Sequence, residues 1–171
     1  VQTCALPISV RYCRDWRIML RAVSQPTTVT PVVPAFSAYL STNQAISANV
    51  ETKVSCDTVE FNIGGGYISA LFRFQPSTAG YYQFNVTGRG NGTTVTAVWF
   101  VLRKNNVNVG RLMESATANG SNAGSMLIFL NGTDYVELFG LVNAASAPIF
   151  DADVAGGANA PRFSACLVRQ A

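Results

Sequence analysis

The stretch Gly80-Tyr81-Tyr82-Gln83-Phe84-Asn85-Val86-Thr87 decides the fold. Tyr82, Phe84 and Val86 point one way, while Tyr81, Gln83, Asn85 and Thr87 point the other. Only an extended strand sends successive side chains to opposite sides. A strand with one dry face and one polar face belongs to an antiparallel sheet covered on one side only.

Turn chemistry punctuates the chain on both sides of this strand. Strand-like runs are expected at Ala35–Leu40, Thr58–Phe61, Leu71–Gln75, Tyr81–Gly88, Val95–Arg103, Val107–Met113, Ser125–Leu130, Tyr135–Val142 and Arg162–Arg169. Between them lie Asn62-Ile63-Gly64-Gly65-Gly66, Pro76–Gly80, Lys104-Asn105-Asn106, Ala116–Gly124 and Asn131-Gly132-Thr133. These separators are rich in residues that accept left-handed or pre-bent backbone. Strands at intervals of about ten residues, with no capped 3.6-residue period beyond a stretch around Asp15–Val23, predict an all-β chain. Nine or ten short antiparallel strands around one core make a two-sheet jelly-roll sandwich. Val95–Leu102 is apolar on both faces, so it is either a central strand or one whose second face meets another subunit.

Composition bounds the rest. The 171 residues suit one domain, and 49% apolar with 12% charged residues is too hydrophobic for disorder. The longest apolar run, Ala97 to Leu102, falls far short of the ~20 residues of a membrane helix. Arg11, Arg14, Arg17 and Arg21, opposed only by Asp15, carry the whole net charge of +3. The remainder is neutral and holds no basic patch in composition, so neither nucleic-acid binding nor membrane insertion is expected.

The head reads differently from the domain. Val1-Gln2-Thr3-Cys4-Ala5-Leu6-Pro7-Ile8 looks like a translated short-read sequencing adapter, which fold reasoning should set aside. Residues 1–29 are therefore read as a non-domain head. Pro26–Pro34 is an extended entry with the linker at 30–34, and 35–170 is the jelly-roll domain. Cys4 and Cys13 fall in the head. Cys166 is expected as a buried thiol in an apolar strand, with a Cys56–Cys166 bridge left open.

Catalytic chemistry is poorly served. The chain has no histidine, which removes Ser-His-Asp and Cys-His activation, His-ligated zinc and the usual neutral-pH base. The carboxylate pairs Asp151/Asp153 and Asp134/Glu137 are read as loop and strand-end charges, so no enzyme is expected. Gly64-Gly65-Gly66 and Gly88-Arg89-Gly90-Asn91-Gly92 lack the following helix of a phosphate loop and are read as hairpin turns. Four Asn-X-Ser/Thr sites, at Asn85, Asn91, Asn119 and Asn131, matter only in a protein secreted by a eukaryote. Asn143–Ala160, long and without periodicity, is the leading functional loop, with Ala116–Gly124 second. Ile149, Phe150, Asp151, Asp153, Asn119 and Asn122 are the candidate ligand-contact residues.

Ala35-Phe36-Ser37-Ala38-Tyr39 opens the domain, followed by Phe61-Asn62, Gly66-Tyr67, Phe72-Arg73-Phe74-Gln75-Pro76 and Gly80-Tyr81-Tyr82-Gln83-Phe84. Asn131-Gly132-Thr133-Asp134-Tyr135-Val136-Glu137-Leu138 comes next, and Phe163-Ser164-Ala165-Cys166-Leu167-Val168 closes it. In order and spacing these stretches resemble the globular domain of complement component 1q, in the tumour-necrosis-factor-like superfamily, over residues 34–169. The resemblance implies a ten-stranded jelly roll that assembles as a homotrimer and works by recognition. Three copies around an axis would bury aromatic and aliphatic residues on the outer face of one sheet.

No collagen-like Gly-X-Y stalk or signal peptide is visible ahead of the domain. The wording of Pro76–Gln83 and Asn131–Gly140 looks most like domains on bacteriophage tail proteins. The implied partner is a host cell-surface glycan or protein, and the implied location the virion tail or the extracellular space. The alternatives are a secreted animal-type complement-like recognition or signalling protein, and a domain that only trimerises to cap a fibre. No cofactor is expected beyond calcium, for which Asp151 and Asp153 are the candidate ligands, as in some relatives near the trimer top.

Overall fold

The computed structural model describes residues 32–116, 122–152 and 160–171. The readings of residues 1–31, of Asn119 and of Asp153 lie outside them. One compact unit runs from Val32 to Ala171. In chain order its strands begin with β1 (Ala35–Tyr39), β2 (Gln44–Ala45), β3 (Thr52–Lys53), β4 (Thr58–Ile63) and β5 (Tyr67–Ile68). There follow β6 (Arg73–Phe74), β7 (Gly80–Gly88), β8 (Gly90–Thr93), β9 (Ala97–Lys104) and β10 (Val107–Ser115). The last four are β11 (Asn122–Leu130), β12 (Val136–Asn143), β13 (Ser146–Phe150) and β14 (Arg162–Gln170). One sheet runs β11-β7-β14-β1-β4 and a second β10-β9-β12-β6-β5, with β3 beside β12. The expected antiparallel sandwich is present. A third sheet, β2-β13-β8, was not expected.

The strand Gly80–Gly88 alternates between core and surface, as its sequence predicts. Along β7, Tyr82, Phe84 and Val86 are buried, Tyr81 and Asn85 are exposed, and Gln83 and Thr87 lie between. Its dry side meets an aromatic seam joining the two main sheets. Phe36 on β1 stacks on Phe74 of β6 at 4.5 Å and on Tyr67 of β5 at 4.7 Å, and meets the edge of Phe163 on β14 at 4.9 Å. Phe84 stacks on Phe163 at 5.8 Å, and Tyr82 turns its edge to Phe74 at 5.4 Å. The Tyr67 hydroxyl, buried within the seam, donates to the Cys56 carbonyl at 2.7 Å.

Several expectations are corrected. Leu71–Gln75 is not one strand: a 3₁₀ turn at Ser69–Leu71 ends on Phe72 in left-handed backbone, and pairing resumes only at Arg73–Phe74. Gly88–Gly92 is not a hairpin turn but a crossing between sheets, from β7 into β8. Glycine is required there by close approach. A Cβ on Gly88 would lie 2.5 Å from the Phe100 ring, and one on Gly90 would lie 2.6 Å from Val142. The stretch Asn143–Ala160 contains β13, which pairs with β2 and β8. Cys166 is exposed and Cys56 buried, and both are free thiols. β9 proves to be internal, between β10 and β12.

Turn chemistry closes one end of the sandwich. Asn105 (φ 49°) and Asn106 (φ 67°) make the two-residue β9–β10 connection, and paired left-handed residues match strand twist in such hairpins. Asn105 also donates to buried Asp134 at 2.6 Å and accepts from the Tyr135 amide at 3.0 Å. Lys104 pairs with Asp134 at 2.8 Å, and the Asn131 amide donates to it at 3.0 Å. Burial acts to raise the Asp134 pKa, but these hydrogen bonds outweigh it and hold the carboxyl below its ordinary 3.8.

Phe36→Ala should lower unfolding free energy by about 3–5 kcal/mol in urea titration, because it opens a cavity in a seam shared by both sheets. The lowered Asp134 pKa sets a second expectation. A carboxyl whose folded pKa lies below its unfolded value contributes fully above the unfolded value and loses that contribution as pH falls through the folded one. The parent should therefore lose stability below about pH 4 more steeply than Asp134→Asn, as read by urea midpoints at pH 7 and pH 3.

Candidate functional site

The two main sheets treat their outward faces in opposite ways. On the six-stranded sheet, Trp99 and Val101 of β9 lie opposite Leu141 and Phe139 of β12. This face is apolar, yet Val101 is only 3% and Leu141 only 7% exposed. The rings opposite them in the register, Trp99 and Phe139, lie under the chain's own basic side chains. The Arg103 guanidinium lies 3.9 Å from the Phe139 ring centroid, the Lys53 ammonium 6.0 Å from it, and Arg111 4.2 Å from Trp99. Each cation is held from the side: Arg103 by Glu51 at 2.5 Å, Lys53 by Glu137 at 2.5 Å and Arg111 by Glu114 at 2.9 Å. The apolar second face of β9 thus needs no other subunit to cover it.

The five-stranded sheet leaves its face open. Register aligns Phe129 with Tyr81, then Leu127, Gln83, Cys166, Ala35 and Ile63, then Ser125, Asn85, Ser164, Ser37 and Phe61. Val168 is 60% exposed, Leu127 52% and Phe61 46%, with Ile63, Tyr81 and Phe129 exposed as well. Tyr81 and Phe129 rings stand 5.3 Å apart, and Tyr81, Leu127, Val168 and Arg169 line an open hollow of about 280 Å³. At one end of the face Glu60 accepts from Ser37 at 2.6 Å and pairs with Arg162, whose guanidinium lies over Tyr39 at 5.2 Å. Hydrogen bonds from Arg162 and then Ser37 hold the Glu60 carboxyl below its ordinary range. Clustered exposed apolar residues with a polar margin are the mark of an interaction surface.

The residues singled out from sequence do not gather. Ile149 is half-buried in β13 opposite Asn91 and Ala45. Phe150 is fully buried, 5.6 Å from the Phe100 ring, and Asp151 is buried against Arg89 in a 2.9 Å ion pair. The expectation that Phe150 and Asp151 meet a ligand at the surface is therefore corrected: an apolar strand stands where an open loop was read. Asn122 begins β11 opposite Gly88. Asp134 and Glu137 serve the hairpin turn and Lys53 respectively. Among the described residues no three of His, Cys, Asp or Glu cluster to hold a metal ion. None of the described helices is long and apolar enough to cross a membrane. The sequence leaves open which sheet carries the aromatic outer face; Tyr81 and Phe129, on the outward phase of β7 and β11, place it on the five-stranded one.

The family model for the C1q domain matches residues 35–148. The globular domain of zebrafish complement 1qA protein shares the fold at a TM-score of 0.58 and 14% identity, over 81% of this chain and 99% of that one. PRD1 vertex protein P5 does so at 0.58 and 16%, again over 81% and 99%. Murine APRIL does so at 0.59 and 10%, over 80% and 99%. No curated protein sequence matches the chain.

The cation cover makes its own prediction. Arg103→Ala should cost about 1–2 kcal/mol and raise the binding of a hydrophobic dye at neutral pH, because it uncovers Phe139 and strands Glu51. An unchanged urea midpoint with unchanged dye fluorescence would show that the cover is incidental.

Proposed function

Because the chain belongs to the C1q domain family, we propose that it is a non-catalytic recognition domain that assembles as a homotrimer through the open face of its five-stranded sheet. The observation that carries this reading is the contrast between the two outward faces. Around β9 and β12 paired cations lie over Trp99 and Phe139, with Val107 and Val109 of β10 exposed at the edge. Across the other face Phe61, Ile63, Leu127 and Val168 stand exposed, with Lys104 over Phe129 and Arg162 over Tyr39. Three copies around an axis would bury those residues, and three identical ligand sites on one rigid body multiply weak single-site affinity.

The setting we infer is a phage tail or fibre protein that binds a host surface structure, located on the virion or outside the cell. The PRD1 vertex protein among the structural neighbours supports that setting. So does Asn85: its Asn-Val-Thr site sits exposed in the middle of the proposed contact face, where an N-linked glycan would block assembly. The zebrafish complement neighbour favours a second reading, a secreted animal-type recognition protein. Mass spectrometry of the natural protein decides between them, since a glycan on Asn85 would exclude the contact face as drawn.

Light scattering should give three times the 18.2 kDa chain mass at micromolar concentration. Leu127→Asp should give a folded monomer. With Cys4 and Cys13 replaced by serine, a thiol reagent should find Cys166 shielded in the assembly and open in the Leu127→Asp monomer. Cys56 should stay silent in both, since burial pushes its thiol pKa up. A monomeric parent, or a freely reactive Cys166 in the parent, would overturn the assembly reading.

A further inference from the structure

Arg73 stands apart from most cations of the domain. Lys53, Arg89, Arg103, Lys104, Arg111 and Arg162 each pair with a carboxylate. Among the described residues, only Arg73 and Arg169 have none within ion-pair distance. Arg169 is exposed beside the hollow of the open face. Arg73 is half-buried on the other sheet, its Nε shielded from solvent with no hydrogen-bond partner. Its cross-strand neighbour Glu137 is taken by Lys53. The guanidinium lies over the Tyr135 ring at 4.6 Å, and the Asn105 side chain holds the Tyr135 backbone.

The preceding residue is also irregular. Phe72 sits at φ 48°, ψ 46°, left-handed backbone that a bulky side chain rarely adopts. A left-handed bulky residue beside an arginine without a carboxylate goes against folding stability, and such violations concentrate where a ligand is bound. A guanidinium stacked on a ring keeps its in-plane donors free, and their fork matches a carboxylate. Beside it Leu71 is exposed, an apolar surface for the C–H face of a sugar ring.

We infer that Arg73, presented by Phe72 and backed by Tyr135, binds the carboxylate of an acidic saccharide, with Leu71 under the sugar ring. A peptide partner fits less well, because the nearby sheet edge, β5, offers only two residues for strand pairing. A nucleic acid would need a row of free cations, which this face lacks. The inference deepens the recognition reading, and rests on it for the class of ligand. It does not depend on assembly.

The test is an array of uronate- and sialate-bearing glycans, each beside its methyl ester, probed with the full chain. The strongest carboxylated glycan is then titrated in solution by calorimetry. The parent should bind carboxylated glycans and not their esters. Arg73→Gln should weaken binding at least about tenfold, Arg73→Lys should recover only part, and Arg169→Gln should change nothing. Phe72→Gly should keep the fold, gain thermal stability from the relieved backbone and still weaken binding. Equal binding of the esters, unchanged binding by Arg73→Gln, capture of no carboxylated glycan, or preference for polyglutamate would each overturn the inference. A monomeric parent that binds the glycan through Arg73 in calorimetry would overturn the trimer reading alone.

Discussion

The structure depends on the stacking of Phe36 between two sheets. Its ring is in contact with Tyr67 and Phe74 of the six-stranded sheet and with Phe163 of its own. Sheets packed face to face are held by interdigitated side chains across a layer about 10 Å thick. Here that layer is aromatic in its middle, and offset and edge-on ring contacts are directional where aliphatic ones are not. The seam therefore sets the position of one sheet on the other as well as excluding water. Gly66 belongs to the same device, since a Cβ there would stand 2.6 Å from the Phe74 ring.

A fixed sandwich still has two outward faces, and the chain resolves them by different chemistry. On β9 and β12 the apolar rows are roofed by arginine and lysine, whose stems cover ring and aliphatic surface while their charges find carboxylates. The cations over β9 and β12 are each paired with a carboxylate, while Val107 and Val109 on β10 stay exposed. On the five-stranded sheet the cover is partial: Lys104 lies over Phe129 at 5.9 Å and Arg162 over Tyr39 at 5.2 Å, while Phe61, Ile63, Leu127 and Val168 stay exposed. A partly uncovered apolar surface flanked by an ion pair is the surface through which the proposed trimer would form.

Sequence periodicity reaches the strands whose alternation is long and uninterrupted. β7 is legible because nine residues repeat one two-sided pattern, and β9 and β12 because eight mostly apolar residues run between turn signals. Gln44–Ala45, Thr52–Lys53 and Tyr67–Ile68 are too short to show a period, and their pairing is decided by partners distant in the chain. β8 is hidden by its glycines, which read as a turn but serve close packing on Val98 and Val142. Cys166 is misread for a related reason: alternation assigns residues to two faces without saying which face is wet when both carry apolar residues. Phe150 and Asp151 look like loop residues because β13 is broken within itself, at Ala147 (φ 50°), where its register on β8 shifts. Arg73 is invisible at the level of sequence, since an unpaired guanidinium is a property of neighbours.

β7 ties folding and assembly to one register. Its even-numbered residues Tyr82, Phe84 and Val86 fill the core, and its odd-numbered residues Tyr81, Gln83 and Asn85 lie on the open face. A slip of one residue would exchange the two sets, putting Asn85 among the phenylalanines and Phe84 in water. The strand lies between β11 and β14, each paired with it along nearly its whole length, so any slip must break both ladders. Burial of the even set thus fixes the pattern that the odd set presents. The open face is as well defined as the core, so in the proposed trimer changes at odd positions would act on association while the fold stays intact.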